Sequence, residues 1–252
     1  MTRADVSEAT YTQSPAVIAP IVWGLCRGPL KVVDYGCNAG WWLEAFAQLG
    51  STELIGFDVA ELEPDAPLRL MLDQGYPPGC HSQFNQVDFE ETVPVCCADL
   101  AISLENAEHI SERRADLLVQ RLCGSRAVLF SAATPGQGGD GHINEQWHQY
   151  WHRKFAANGF AFHDVIRPMV ENDEQVLPWY RANCFLYTPL MGEPLTEFGH
   201  FPERVPPARF DQAILGEPVG HDLSNCCQAA VARIGAGRVR CSSCGKTWEE
   251  KF

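Results

Sequence analysis

The sequence is short of several things, and each shortage narrows what the chain can do. No apolar run in its 252 residues approaches membrane-spanning length, which argues against a helical membrane span. Met1 to Ser14 is too polar for a secretory signal peptide, so the chain is expected to be cytoplasmic. Basic residues are scarce: 19 Lys and Arg stand against 32 Asp and Glu, a net charge of −13. That balance opposes tight non-specific binding to nucleic acid or to an anionic membrane, while a local basic site stays open. Glycine is missing where a dinucleotide fingerprint needs it. The pattern G-x-G-x-x-G, started at Gly36, requires glycine at 38 and 41, where Asn38 and Trp41 stand. The third glycine exists to let helix and strand pack closely, so Trp41 disfavours a pyrophosphate-binding turn and a nicotinamide-dependent oxidoreductase.

What is present begins with core material. Hydrophobic content of 46% in 252 residues supports one α/β domain with a small appendage. Eleven cysteines in a chain of this length point to reduced thiols and metal rather than to a disulfide scaffold. The organising stretch is Lys31 to Asp58. Lys31 to Tyr35 is β-branched and aromatic, as a buried strand needs, and Gly36, Asn38 and Gly40 follow within five residues. Trp41 to Leu49 has apolar residues at helical spacing, with Gly50 at the place of a left-handed C-terminal cap. Leu54 to Phe57 reads as a second strand ending in Asp58. Strand, glycine turn, helix, strand and acid make a βαβ unit whose backbone can approach a nucleotide and whose acid can accept ribose hydroxyls.

The pattern D-x-G-x-N-x-G, Asp34 to Gly40, resembles motif I of class I S-adenosylmethionine (SAM) methyltransferases. The resemblance implies that Asp34, Gly36, Cys37, Asn38 and Gly40 cradle the methionine part of SAM and that Asp58 holds its ribose. An ordinary tight βα turn is the plainer alternative. The resemblance extends over roughly residues 30 to 190. A helix is predicted from Ser14-Pro15, another near Arg69 to Gln74, and a third strand from Ser82 to Phe89. Asp88-Phe89 matches the family position that faces the adenine, although an Asp at a strand end also reads as a turn residue. Asp99 to Leu104 is a fourth strand, and the run Glu105-Asn106-Ala107-Glu108-His109 after Leu104 is placed by the resemblance beside the methyl donor. Further expectations are a helix from Ser111 to Leu122, a strand from Ala127 to Ala132, a glycine-rich connection from Ala133 to Gly141 and a helix from Asn144 to Gly159. The aromatic stripe Trp147, Tyr150, Trp151 and Phe155 reads as core. Strands at Phe160 to Arg167 and Arg181 to Thr188 would end the sheet as the family's antiparallel pair. The fold class expected is α/β: a Rossmann-like, doubly wound, mostly parallel sheet of class I methyltransferase type, with a small C-terminal zinc ribbon.

Glu108, His109 and His142 are the candidate acid–base residues for removing a hydroxyl proton from an acceptor. A metal reading covers the same residues. Glu105, Glu108 and His109 are spaced i, i+3 and i+4, so a helical turn would set them on one face, and His142 could close over them. Two carboxylates and two imidazoles suit a divalent ion such as magnesium or manganese. The E-x-x-E-H run resembles that of small-RNA 3′-terminal 2′-O-methyltransferases, where two glutamates and two histidines hold magnesium, and that of ubiquinone-biosynthesis O-methyltransferases. Many methyltransferases carry glutamates here without metal, so pocket lining remains the alternative.

Beyond the 1–190 domain, residues 191–220 read as a proline-rich linker and 221–252 as a separate segment. Cys226-Cys227 and Cys241-Ser242-Ser243-Cys244-Gly245 bracket it, with Arg238 to Cys241 as a strand, and the whole resembles a small zinc ribbon. Cys226, Cys227, Cys241 and Cys244 are the candidate zinc ligands, with His221 able to replace one of the adjacent pair. The segment carries five Lys and Arg against three Asp and Glu, so it is net positive while the rest is strongly negative, and it could dock RNA or a protein or serve as a cap. Cysteines 26, 37, 80, 96, 97, 123 and 184 fit buried free thiols. The functional expectation is a SAM-dependent methyltransferase that O-methylates a small metabolite or sugar. The alternatives are an RNA-end 2′-O-methyltransferase or a non-catalytic SAM-binding scaffold.

Overall fold

The computed structural model describes residues 8–75 and 77–190, together with the strands lying within 231–249. The larger unit opens with α1 (Glu8–Leu25) and then alternates: β1 (Lys31–Tyr35), α2 (Trp41–Leu49), β2 (Glu53–Asp58), α3 (Pro67–Gln74), β3 (His81–Gln86), β4 (Leu100–Leu104), a 3₁₀ turn (Ala107–His109), α4 (Glu112–Leu122) and β5 (Ala127–Ser131). It closes with α5 (His148–Ala157), β6 (Phe160–His163), α6 (Arg167–Val170), α7 (Pro178–Asn183) and β7 (Phe185–Pro189).

Seven strands form one sheet in the order β3-β2-β1-β4-β5-β7-β6. β1 pairs in parallel with β2 and β4, β2 with β3, and β4 with β5, whereas β7 runs antiparallel to both β5 and β6. β4 and β5 are buried along their whole length, as strands covered by helices on both faces must be. The order reverses between β1 and β4. At such a switch the following connections leave in opposite directions and open a crevice at the carboxyl ends of the strands. Two of the singled-out runs, 36–40 and 105–109, leave from those two strand ends. The core beside them is aromatic: Phe155 stacks on Tyr187 at 3.8 Å, and Phe130 meets Trp151 at 5.2 Å.

Several elements differ from the sequence expectation. Ser14 is not a helix cap; it lies within α1, buried, and its hydroxyl accepts the Leu177 N–H at 2.9 Å. β3 stops at Gln86, because the Asp88 carboxylate takes the Glu90 N–H at 2.8 Å and turns the chain. α5 starts at His148 rather than Asn144, whose N–H, with that of Ile143, is spent on the Glu108 carbonyl. Arg181 sits in a helix, not a strand, since Pro178 at the first helical position presets a turn there. The aromatic stripe is split: Trp151 and Phe155 are core, but Trp147 is 38% exposed.

The smaller unit is an antiparallel sheet of β8 (Val231–Gly235), β9 (Arg238–Cys241) and β10 (Thr247–Glu249), in the order β10-β9-β8. The strand expected at Arg238 to Cys241 is β9. The linker 191–220 and the zinc-ligand candidates His221, Cys226, Cys227 and Cys244 lie outside the described residues, as does the side chain of Cys241.

Candidate active site

The turn after β1 is fixed by backbone bonds to β2. The N–H groups of Gly36 and Cys37 both donate to the Phe57 carbonyl, at 2.8 and 3.1 Å. Gly36 has φ +89°, and a Cβ there would lie 2.4 Å from the Asn106 side chain, so only glycine serves. Asn38 adopts φ +48°, which its short polar side chain tolerates. Its N–H donates to Asp58 Oδ2 at 2.7 Å, and the Ala60 N–H donates to Oδ1 at 3.0 Å. Asp58 therefore sits against the turn, at the end of β2, with its position set by two N–H groups.

Asp34 is 2% exposed in the middle of this unit, and burial, helped by the charge of Asp58, pushes its carboxyl well above the usual range. Cys37 is buried with its thiol pushed up by burial, which removes it as a nucleophile. Asp88 spends one oxygen on the turn beyond β3. Phe89 is a core residue 6.0 Å from the Tyr35 ring, and Leu104 is buried at the end of β4.

The run after β4 holds the densest chemistry. Glu105 takes φ +47°, unusual for a residue with a Cβ, so the helical turn begins only at Ala107. This breaks the single face expected for Glu105, Glu108 and His109. Glu105 instead accepts Gln137 Nε2 at 2.7 Å and Asn183 Nδ2 at 3.3 Å. Burial raises its pKa, and those hydrogen bonds oppose the rise. Asn183 also accepts from His148 Nε2 at 2.9 Å, which ties Glu105 to α5 through one amide.

Glu108, His109 and His142 do come together. One ligand atom from each lies within 4.8 Å of the others, little more than the ~4.2 Å span between opposite ligands on a small divalent ion. Glu108 is fully buried and neither carboxylate oxygen has a hydrogen-bond partner. Burial pushes its pKa well above the usual carboxylate range and the charge of Glu105 adds to this; nearby N–H groups of Glu108 and Ala133 pull the other way without completing a bond. His109 Nδ1 lies 3.2 Å from the Gly141 carbonyl, and His142 Nδ1 lies 2.9 Å from Glu145 Oε1. Both partners can only accept, so each Nδ1 donates, and in a neutral ring Nε2 is then the ligand atom. His142 Nε2 is 3.9 Å from Glu108 Oε1, and the two imidazoles meet edge to face at 4.8 Å.

No protein-family model matches the chain, and no curated protein matches it significantly. Solved structures do match. The magnesium protoporphyrin IX methyltransferase ChlM of Synechocystis PCC 6803, solved with SAM bound, is 18% identical over 71% of this chain and 80% of its own, with a TM-score of 0.52. The methyltransferase domain of bacterial CtHen1-C is 18% identical over 71% of this chain and 98% of its own, at 0.51. LaPhzM is 19% identical over 72% of this chain and 56% of its own, at 0.50. The fold is the Rossmann-like fold of these methyltransferases.

Four residues that matter here were not singled out from the sequence. Gln137 and Asn183 hold Glu105, Gly141 orients His109, and Glu145 orients His142. The one local signal was the three-residue spacing of His142 and Glu145. Chemically, the cluster offers a carboxylate and two ligand-competent imidazoles at the crevice of the sheet, with Glu105 held beside them by amides.

Proposed function

We propose that this protein is a SAM-dependent methyltransferase that methylates a hydroxyl oxygen of a small metabolite or sugar, using a divalent cation. The observation that carries the reading is Glu108: a fully buried carboxylate with both oxygens unpartnered, next to two imidazoles, at the crevice where ligands of such sheets bind. A buried carboxyl group without a hydrogen-bond partner destabilises a fold, and such groups with shifted pKa values cluster where chemistry uses them. A non-catalytic scaffold would have no use for it.

Gly36 and Gly40 let the turn pack against the side chains of Asn106 and Leu68, and Asp58 at the end of β2 presents a carboxylate fixed by the Asn38 N–H, an arrangement that fits SAM. SAM would supply a methyl group on a sulfonium, already strongly electrophilic, so the chain's main task is to align the acceptor. Glu108, His109 and His142 fit magnesium or manganese, with Glu105 nearby but engaged by Gln137 and Asn183. Such an ion lowers the pKa of a hydroxyl it coordinates. His109 and His142, whose Nδ1 atoms are engaged by Gly141 and Glu145, are the groups that would otherwise take the acceptor's proton through Nε2. The net charge of −13 favours a small acceptor over a polyanion. The RNA-end alternative draws on the E-x-x-E-H run and would need the positive C-terminal segment for docking.

A methyl-transfer screen with labelled SAM against metabolite, sugar and RNA pools identifies the acceptor. Activity is expected to vanish in excess chelator and to return with magnesium or manganese. Full activity in chelator would sink the cation reading and leave His109 or His142 as a simple base.

We also propose one structural zinc held by Cys226, Cys227, Cys241 and Cys244, with His221 as the substitute for one of the adjacent pair. The thiol-rich donor set, with the C-x-x-C-G run at Cys241 to Gly245, supports it. Elemental analysis is expected to find one zinc per chain, and Cys241→Ser with Cys244→Ser to remove it while SAM binding persists. Zinc retained by that double variant would refute the assignment.

A further inference from the structure

The connection between β5 and α5 touches every member of the Glu108 cluster. Its Ile143 and Asn144 N–H groups both donate to the Glu108 carbonyl at 2.9 Å, and its Gly141 carbonyl accepts from His109. Its Glu145 carries the most. Glu145 Oε1 accepts His142 Nδ1 at 2.9 Å and the Gly138 N–H at 2.8 Å, while Oε2 accepts the Gly136 N–H at 2.8 Å. One carboxylate thus gathers three donors, two of them from glycines at φ +89° and +72°.

Resting on the cation reading above, we propose that Glu145 is a positioning residue that makes order in this connection and divalent-cation binding a single equilibrium. A carboxylate only accepts, so its bond to His142 requires a proton on Nδ1 and turns Nε2 to Glu108, 3.9 Å away. In metal sites, such a carboxylate behind a histidine fixes both tautomer and ring orientation. Here the same carboxylate also ties down Gly136 and Gly138, in a stretch where Gly139 and Gly141 follow closely. Four glycines make the unclamped segment expensive to order. A Cβ at 139 would lie 2.3 Å from His142 Nε2, so the glycine there keeps that edge of the imidazole clear. A cation that binds the oriented imidazole stabilises the clamped connection, and by reciprocity the clamp raises cation affinity.

The test uses the full chain with Glu145→Gln and Glu145→Ala beside the parent, and SAM binding as the control for folding. Manganese alone is titrated and followed by electron paramagnetic resonance. Its dissociation constant is expected to rise about 10–100-fold on loss of Glu145. Nitrogen NMR of the cation-free protein is expected to show His142 protonated at Nδ1 in the parent and at Nε2 in Glu145→Ala. Amide exchange at Gly136 and Gly138 is expected to accelerate in both variants and to slow in the parent when manganese is added. An unchanged His142 tautomer with unchanged glycine exchange in Glu145→Ala would overturn the positioning role. A parent that binds no manganese would overturn the coupling and the cation reading together, while tautomer and exchange would still decide whether Glu145 orients His142.

Discussion

Glu108→Ala is expected to abolish cation-dependent methyl transfer, a loss of about 10²–10⁴-fold if the residue serves proton removal through its site. SAM affinity, measured by calorimetry, is expected to stay within about twofold, a change of less than about 0.5 kcal/mol, because Glu108 belongs to the β4 exit and not to the glycine turn. The stability of the cation-free protein should move the other way. Glu108 is fully buried with two unpartnered oxygens, and the charges of Glu105 and Glu145 oppose its ionisation. Glu108→Leu is therefore expected to stabilise the metal-free fold by about 1–3 kcal/mol, read as a higher Tm. A variant that is inactive and more stable marks a residue kept for chemistry. A variant that melts early without cation would mark Glu108 as a structural residue and remove the carrying observation of the functional proposal.

Asp58→Ala is expected to weaken SAM binding by about 1–3 kcal/mol, a five- to 150-fold rise in Kd, since ribose hydroxyls would lose their acceptor. Two further effects act in the same direction. The Asn38 and Ala60 N–H groups both lose their partner, and the glycine turn loses one of the bonds that fix it to the end of β2. Calorimetry on the parent is expected to show SAM binding at micromolar strength and no heat with NAD. NAD binding without a response to SAM would overturn the step from this fold to this cofactor.

The βαβ unit from Lys31 to Asp58 was readable because its signals are local. Strand, glycine turn, amphipathic helix and C-terminal glycine each follow from residues within a few positions, and β1, α2 and β2 fall where the spacing puts them. The elements that shifted did so through partners distant in sequence. Ser14 reads as a cap until Leu177, 163 residues away, takes its hydroxyl. Asn144 reads as a cap until the Glu108 carbonyl takes its N–H. In each case a side chain or amide with two local uses was claimed by a third, tertiary one.

The candidate site divides along the same line. The residue types Glu108, His109 and His142, and the crevice that follows from a strand order reversing beside β1, were legible from sequence pattern and resemblance, because donor chemistry and strand–helix alternation are local properties. Which donors converge was not, because convergence depends on backbone torsion and on chain segments more than thirty residues apart. A left-handed Glu105 turns one expected ligand away into the amides of Gln137 and Asn183. The β5–α5 connection, folding back over Glu108, brings His142 in with Glu145 behind it. Spacing along a chain fixes which side chains share a helical face only while the helix lasts; here it begins two residues late, and packing chose the partners instead.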